Sequence, residues 1–374
     1  MENYTQDTEQ NGIAALSGES HSPEGERSSP PQAAAAPESP NGESRWRLIE
    51  ITSSERDEVA AHLDEGLLEK AARTELPFKS SEFFNEAEVA EGLLPEPVRA
   101  AYTELRWGLC DCVVVRGLPH DETVKDMPGQ PSRDGHAPAR GHGLVAAAVR
   151  RLGHEYSYAK EKGGALVHDI FPTKSGAAKQ SNESWQVDLS LHTENAFHPL
   201  RPDFVVLYCV RAPSVPPATH LSLLLEILPN LTDEEMSVLR EERFTIDVVD
   251  SFLTGGEQDA TLPLKVLDGA SRMPLVRWHQ SVKGTDDPSR HAAGVFSEEA
   301  IAAAQPVRLQ PGDLLAFAND RALHGRDKFD ATLDGSDRWL LRSYVRRDLS
   351  QLMPFLAPSQ PNAIRLDLAA RAVA

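Results

Sequence analysis

A histidine and a glutamate that could ligate a metal ion lie two positions apart near the middle of the chain. His192 and Glu194 begin the segment H-T-E-N-A-F-H-P-L-R-P-D-F. Side chains at i and i+2 project from the same face of a β-strand, so on a strand this pair would present an imidazole and a carboxylate to one ion. Alone, the pair is weak evidence, because a solvated His and Glu on an edge strand are commoner.

A third candidate ligand, His324, follows far along the sequence. The segment 310–327 contains a Pro-Gly-Asp turn signal, a short apolar run and a break before H-G-R. Two histidines and one carboxylate, with other coordination positions open, form the facial triad of non-haem Fe(II) oxygenases. Because the set contains no soft ligand, it is not typical of an iron–sulfur cluster or a structural zinc site.

Two arginines that could bind carboxylates come after this ligand. Arg338 and Arg342 lie in the segment D-R-W-L-L-R-S-Y-V-R-R-D. Because they are an even number of positions apart, both would project from one face if the segment is a strand. An arginine can form a bidentate pair with a carboxylate, so each is a candidate to hold an acidic co-substrate or an amino acid. Without the metal ligands, two surface arginines would be the preferred interpretation.

Together these motifs resemble the clavaminate synthase-like Fe(II)/2-oxoglutarate oxygenases, a family that includes hydroxylases of free arginine, lysine and asparagine. The resemblance covers about 153–349. It implies that His192, Glu194 and His324 bind Fe(II), with 2-oxoglutarate and O₂ as co-substrates. It also implies that Arg338 pairs with the distal carboxylate of 2-oxoglutarate. Arg342 would hold the α-carboxylate of the substrate.

The resemblance implies further contacts in the same pocket. Thr219 stands where the family often has a hydroxyl that touches 2-oxoglutarate. Glu161 falls where relatives place a glutamine that meets the substrate's α-amino group, and a carboxylate there could pair with an ammonium. Asp250 lies beside a Ser-Phe that resembles a lid segment with an acidic substrate contact, and Asp247 is the alternative. Asn182, just before the metal-binding segment, is a candidate to line the pocket, and the alternative is a plain loop residue.

The sequence departs from the family at the substrate side chain. The arginine and lysine hydroxylases carry an Asp-x-Asp there, whereas this chain has Trp278 and Gln280. A buried cation without a carboxylate partner is costly, so a cationic substrate is disfavoured. Gln280 could hydrogen-bond a neutral amide or ureido group, and Trp278 could pack on a planar or aliphatic side chain. A cation over the Trp278 ring is the alternative. Trp278 could also be core and Gln280 solvated.

We therefore predict hydroxylation of an unactivated carbon of a free amino acid, or a close derivative, with a neutral polar side chain, in secondary metabolism. One alternative is an arginine or lysine hydroxylase. Another is a desaturase or cyclase, including one that acts on a carrier-bound substrate. A non-catalytic jelly-roll module would be indicated by loss of a ligand, and all three are present. A hydrolytic zinc enzyme would need a general base near the metal and would be indifferent to 2-oxoglutarate.

Composition narrows the class of protein. The net charge of −19 disfavours nucleic acid and anionic membranes as partners. No apolar run approaches the ~18 residues of a membrane span, and the acidic, polar start of the chain is not typical of a targeting peptide. We predict a cytoplasmic protein with reduced thiols at its three cysteines. The sequence does not determine the oligomeric state.

The predicted organisation is a disordered tail over 1–45 and a single oxygenase domain over 46–374. Its fold class is α+β, a double-stranded β-helix (jelly-roll) core buttressed by helices, and this follows from the resemblance. The N-terminal part is predicted to be mostly helical, with an insertion around 225–300. The predicted helices cover 54–73 and 95–107, and a third begins at Asp233.

The remaining predicted elements are strands and one long loop. Strands are predicted at 112–116, before His192, at 204–210, near Leu275 and within 314–344. The Gly-, Pro- and His-rich segment from about 126 to 142 is predicted to be a mobile polar loop rather than a metal site, although it contains His136 and His142.

Overall fold

The first element of the described residues is a strand, which was not predicted within the mostly helical N-terminal part. A computed structural model describes residues 44–90, 92–121, 139–249, 252, 260–357 and 360–365. The predicted tail lies outside these residues except for its last two. Of these, Arg45 donates two hydrogen bonds to the buried Asp111 carboxylate, at 2.9 and 3.0 Å. This ion pair fixes the start of the first strand beside the strand that follows Asp111.

In the N-terminal part, most of the helices lie between two strands, and one more helix follows the second strand. In chain order these elements are β1 (Trp46–Glu50), α1 (Ser53–Ala61), a π-helical segment (His62–Leu68), α2 (Glu69–Arg73), α3 (Ser81–Val89), α4 (Glu96–Trp107), β2 (Cys112–Arg116) and α5 (Ala139–Leu152). Thr52 caps α1 in a capping box with Glu55, and α4 ends where Gly108 takes a φ of 75°. The predicted helices over 54–73 and 95–107 are confirmed.

The rest of the chain is mostly strands. These are β3 (His154–Tyr158), β4 (His168–Ile170), β5 (Leu189–His192), β6 (Phe204–Arg211), β7 (Thr219–Leu223), β8 (Phe244–Thr245), β9 (Leu267–Ala270), β10 (Met273–Val276), β11 (Lys283–Gly284), β12 (Gln305–Val307), β13 (Leu314–Ala318), β14 (Ala322–Arg326), β15 (Trp339–Arg346), β16 (Leu356–Ala357) and β17 (Gln360–Ile364). Helices α6 (Leu224–Ile227), α7 (Asp233–Leu239) and α8 (Asp287–Ala302) lie between β7 and β12. The predicted helix at Asp233 is α7, capped by Thr232.

Two sheets form the core. The larger has the strand order β1-β2-β13-β6-β15-β3-β17-β16, with β4 also on β15, and the smaller has the order β12-β7-β14-β5. Side chains of both sheets share one apolar cluster, and a second cluster joins the helices to the other face of the larger sheet. This is a jelly-roll core with helices on one side, so the predicted fold class is confirmed.

Strand β6 is buried on both faces, which explains why apolar and polar residues do not alternate in its sequence. Val205 and Leu207 belong to the cluster between the sheets, whereas Val206 and Tyr208 belong to the cluster beneath the helices. A strand buried on both faces reads as a continuous apolar run. The three cysteines, Cys110, Cys112 and Cys209, are buried and free, as predicted.

Helix α5 corrects the last four positions of the predicted loop over 126–142, whereas 126–138 lie outside the described residues. The helix begins at Ala139, so His142 is a buried helical residue, whereas His136 lies outside the described residues. The glycines near its start suggested a turn, but Gly141 serves packing: a Cβ there would lie 2.6 Å from the Tyr208 ring. The helix needs this residue to approach the sheet closely. None of the described helices is both long and apolar enough to cross a bilayer.

Glu226 should make stability depend on pH, because it ties α6 to β1 through a half-buried carboxyl. Trp46 Nε1 donates to it at 3.1 Å, and its other oxygen has no partner among the described residues. Burial raises its pKa from the ordinary 4.5 to about 7, with the Trp46 bond opposing. A raised acid pKa gives stability that is present below pH ~4.5 and is lost as the pH rises through ~7.

We therefore expect Glu226→Gln to raise the melting temperature at pH 8 and to leave it nearly unchanged at pH 4.5. Thermal unfolding followed by circular dichroism at the two pH values measures the difference. The exposed Glu242→Gln is the control for loss of a carboxylate. An equal effect of Glu226→Gln at both pH values would contradict the expectation.

Candidate metal centre and substrate cavity

The two predicted histidine ligands lie side by side on neighbouring strands of the smaller sheet. Strands β5 and β14 are antiparallel, and His192 is the cross-strand partner of His324. Their ring centroids are 4.2 Å apart. The strands can approach this closely because residue 325 is glycine: a Cβ there would lie 2.6 Å from the Leu189 carbonyl oxygen. The glycine of the H-G-R motif therefore has a packing role beside the ligand.

Glu194 reaches the histidines from a turn and not from the strand that was predicted to carry it. Strand β5 ends at His192, and the chain turns at Asn195, which has a φ of 50°. Asn319 holds the turn: its Oδ1 accepts from Glu194 N at 2.6 Å, and its Nδ2 donates to Glu194 O at 3.2 Å. The i, i+2 argument was therefore wrong in mechanism, although the three side chains do meet.

The three side chains form a donor set that fits Fe(II). One ligand atom from each of His192, Glu194 and His324 lies within 4.8 Å of the others. His192 Nδ1 lies 2.8 Å from the Ser190 carbonyl oxygen. That bond places the proton on Nδ1 and leaves Nε2 free to ligate. Burial, with His324 nearby, lowers the pKa of His192 to about 3, so the ring is neutral as a ligand must be.

Arg342 lies directly behind the carboxylate ligand. It belongs to β15, and its Nη1 donates to Glu194 Oε2 at 2.9 Å. Burial opposes ionisation of Glu194, but Arg342 and the two histidines outweigh it and hold the pKa of that carboxyl well below its usual range. Glu194 is therefore an anion, ready to ligate a cation.

The triad opens into a cavity of about 800 Å³ between the sheets. Arg338 and Thr219 line it, both buried, with Arg338 just before β15 begins and Thr219 at the start of β7. Among the described residues Arg338 makes neither a hydrogen bond nor an ion pair, and burial lowers its pKa to about 10. A buried, unpaired guanidinium is costly, so this position calls for an anionic ligand.

Glu161 also lines the cavity but already has partners. Its carboxylate accepts from Arg342 Nη2 at 2.7 Å, from the Tyr344 hydroxyl at 3.0 Å and from Asn195 Nδ2 at 3.4 Å. Burial raises the pKa of Glu161, against the influence of Arg342 and with that of Glu194. A substrate ammonium at this position would share Glu161 with Arg342.

Of the other predicted contacts, two lie in the cavity and Trp278 does not. Asn182 and Gln280 line it, and Gln280 Oε1 accepts from Ser190 Oγ at 2.8 Å. Trp278 is buried against Phe296 in the apolar core, with ring centroids 4.7 Å apart, and does not line the cavity. Its role as a substrate contact is corrected to packing, because its ring lies on the α8 side of the segment.

Asp250 and its alternative Asp247 were predicted as acidic substrate contacts in a lid segment. Asp250 lies outside the described residues. Asp247, the alternative, is half-exposed and paired with Lys283 Nζ at 2.8 Å, away from the cavity lining. Val249 and Phe252 line the cavity instead.

Two polar residues around the metal centre were not predicted as part of the site. Asn319, which with Asp320 forms the break predicted before H-G-R, was given no other role, yet it fixes Glu194. The buried His168, on β4, lies opposite Arg342 on β15, and its Nδ1 is 2.9 Å from Arg342 Nη2. The position of Asn319, between a buried strand and the strand that carries His324, was the one sequence signal that could have indicated its role. His168 is one of thirteen histidines, and no spacing distinguished it.

Comparison with known proteins identifies the chain's family. No family model matches the sequence. L-lysine 3-hydroxylase of Catenulispora acidiphila is 32% identical over 334 residues, covering 83% of this chain and 91% of that enzyme. Clavaminate synthase 2 of Streptomyces clavuligerus is 33% identical over 277 residues, covering 71% and 84%. The chain belongs to the clavaminate synthase-like Fe(II)/2-oxoglutarate oxygenases. It is an oxygenase that uses Fe(II), 2-oxoglutarate and O₂.

Solved structures of related oxygenases have the same fold. An asparagine oxygenase in complex with Fe(II), 3-hydroxyasparagine and succinate matches with a TM-score of 0.76 at 27% identity, covering 85% of this chain and 98% of that one. The non-haem iron oxygenase OrfP with Fe and α-ketoglutaric acid matches with a TM-score of 0.74 at 28% identity, covering 85% and 100%. The resemblance stated from the motifs is therefore confirmed for this oxygenase.

Proposed function

We propose that this oxygenase hydroxylates a free α-amino acid, or a close derivative, whose side chain is neutral and polar. The observation that carries the proposal is the charge pairing inside the cavity. Its described carboxylates are all engaged: Glu161 and Glu194 with Arg342, and Glu183 with Lys162. With Glu161 taken by the α-ammonium, a cationic side chain would find no further free carboxylate among the described lining residues, whereas Arg338 stays available to an anionic co-substrate.

The protein's contribution to the reaction is to position its reactants. His192, Glu194 and His324 would hold Fe(II). When bound, Fe(II) with 2-oxoglutarate and O₂ supplies an oxidative decarboxylation that delivers one oxygen atom to a substrate C–H bond and the other to succinate. Arg338 would pair with the distal carboxylate of 2-oxoglutarate, and the Thr219 hydroxyl would also contact 2-oxoglutarate. This pairing satisfies the one lining guanidinium that the described residues leave unpaired.

The amino-acid head group has two complementary charges to meet. The α-carboxylate can accept from Arg342, and the α-ammonium can donate to Glu161. Apolar side chains from the larger sheet, including Leu207 and Leu340, line the same cavity and exclude water from it. The position of the head group determines which carbon is hydroxylated. A displacement of Arg342 and Glu161 would therefore uncouple succinate formation from hydroxylation.

The side-chain end of the cavity presents hydrogen-bond donors. Gln280 Oε1 is occupied by Ser190 Oγ, so its amide Nε2 is the group left for a ligand. Gln180 is held similarly, with Oε1 accepting from Ser190 N at 3.2 Å and Nε2 donating to Asp188 O at 2.9 Å. Asn182 and the exposed Lys179 line the same cavity. A side-chain amide or ureido carbonyl is the neutral acceptor that this wall fits.

The proposal is tested by anaerobic reconstitution with Fe(II), followed by 2-oxoglutarate and O₂, against a panel of free amino acids. We expect succinate formation and a hydroxylated product with asparagine, glutamine or citrulline, and little with arginine, lysine or ornithine. Stimulation by the basic amino acids alone would overturn the neutral side chain. Stimulation by none of the panel would overturn the free amino acid.

Gln280→Asp should move the preference towards basic substrates. The new carboxylate would give a cationic side chain the partner that the wild-type wall lacks, and would repel an acceptor oxygen. The measurement is the ratio of kcat/KM for arginine or lysine to that for the best neutral substrate, with a rise of ~10-fold expected for one charge-assisted contact of ~1.5 kcal/mol. Gln186→Asp, at an exposed position between β4 and β5 that does not line the cavity, is the control. An unchanged profile would show that Gln280 does not contact the side chain.

A further inference from the structure

His168 is a buried polar residue with two well-defined partners beside the metal centre. It is 2% exposed and lies directly opposite Arg342 across the β4–β15 pairing. Its Nε2 is 3.0 Å from the carbonyl oxygen of Ala165, so Nε2 carries the proton. Nδ1 is therefore an acceptor, and it accepts from Arg342 Nη2 at 2.9 Å. The backbone carbonyl thus selects the tautomer that can receive the arginine.

The Arg342 guanidinium is fixed by three acceptors in different directions. Nη1 donates to Glu194, while Nη2 donates both to Glu161 and to His168. The Tyr344 ring covers one side, with its centroid 4.7 Å from Arg342 Cζ. Because a guanidinium is planar, these contacts define both its position and its plane. In this orientation of the guanidinium plane, Nη1 points at the Glu194 carboxylate, which would ligate the iron.

We propose that His168 is a positioning residue for the iron site, which acts through Arg342 on the orientation of Glu194. Without an acceptor at Nδ1, one Nη2 hydrogen would be buried and unsatisfied. The guanidinium could then rotate to place two donors on Glu161, which would release Glu194. Groups that orient a metal ligand from outside typically contribute 10- to 100-fold in metal affinity or activity.

The test uses His168→Leu and His168→Gln. Leucine removes the acceptor at similar volume, whereas glutamine can accept from Arg342 with its carbonyl and donate to Ala165 with its amide. We expect His168→Leu to weaken anaerobic Fe(II) binding by ~10- to 100-fold. With substrate present it should also raise the ratio of succinate to hydroxylated product. His168→Gln should restore both properties towards those of the wild type.

The control is His142→Leu, which removes another buried histidine, on α5, outside the cavity lining. It should leave Fe(II) affinity and coupling unchanged, with thermal unfolding measured for every variant. Equal losses in His142→Leu and His168→Leu, or no rescue by glutamine, would reduce His168 to a packing residue and overturn the proposal.

The inference rests on the proposed function, in which His192, Glu194 and His324 are the iron ligands. Anaerobic Fe(II) binding by the wild type checks that assignment. If the wild type binds no Fe(II), both the proposed function and this inference fail. If the wild type binds Fe(II) and His168→Leu binds it equally tightly with normal coupling, only the role of His168 is overturned.

Discussion

Replacing Arg338 with methionine is expected to destroy productive 2-oxoglutarate binding and, in the absence of ligands, to make the protein more stable. Both effects have one cause, the buried guanidinium that has no partner among the described residues. Losing one member of a buried charge pair costs ~2–5 kcal/mol, so the KM or Kd for 2-oxoglutarate should rise by ~30- to 5,000-fold. Replacing a buried charge with an apolar side chain of similar length should raise the melting temperature by a few degrees.

A second buried arginine supplies the matched control. Arg321 is as buried as Arg338, but its Nε donates to Asp111 at 2.6 Å. Arg321→Met should therefore lower the melting temperature and leave the Kd for 2-oxoglutarate of the remaining folded protein unchanged. Calorimetry with and without 2-oxoglutarate separates the two cases. A destabilised Arg338→Met protein with normal 2-oxoglutarate affinity would show that Arg338 has a structural role only.

Replacing Glu194 with alanine is expected to remove both iron binding and all activity. The change deletes the anionic ligand and leaves the Arg342 guanidinium facing the two histidines, so Fe(II) would meet an uncompensated positive charge where the wild type has a carboxylate. Fe(II) affinity should fall by more than ~100-fold, beyond the effect of removing an outer partner of a ligand. Succinate and hydroxylated product should both be absent.

Glu183→Ala is the matched control for Glu194→Ala. Glu183 also lines the cavity, but it is paired with Lys162 and does not belong to the triad. Its loss should change substrate KM at most and should leave Fe(II) binding intact. Retained Fe(II) binding and succinate formation in Glu194→Ala would contradict the assignment of the ligands.

The ligand types were predictable from the sequence, but their geometry was not. The identities and order of His192, Glu194 and His324 carried the chemistry. The strand argument for His192 and Glu194 failed because tertiary hydrogen bonds from Asn319 hold Glu194 in a turn. A residue 125 positions away cannot be assigned to that contact by local periodicity. The fold class was predictable from the family resemblance, whereas strands buried on both faces show no alternation by which to recognise them.

The substrate contacts were the least predictable part. Trp278 and Gln280 lie two positions apart, yet one packs in the core and the other reaches the cavity, because the chain leaves β10 before them and is not a strand there. Arg342 was assigned by resemblance to the substrate carboxylate, and its bonds to Glu161 and Glu194 join segments far apart in sequence. Helix α5 was missed because its glycines signal turns locally and serve close packing in the folded protein.

The most direct test of the central claim is a reaction under ¹⁸O₂ with Fe(II), 2-oxoglutarate and the free amino acid that best stimulates turnover. Mass spectrometry of both products follows the oxygen atoms. We expect one ¹⁸O atom in the hydroxylated amino acid and one in succinate, formed in equal amounts, with neither product formed by Glu194→Ala. Product without ¹⁸O, or turnover that proceeds without 2-oxoglutarate, would contradict that claim.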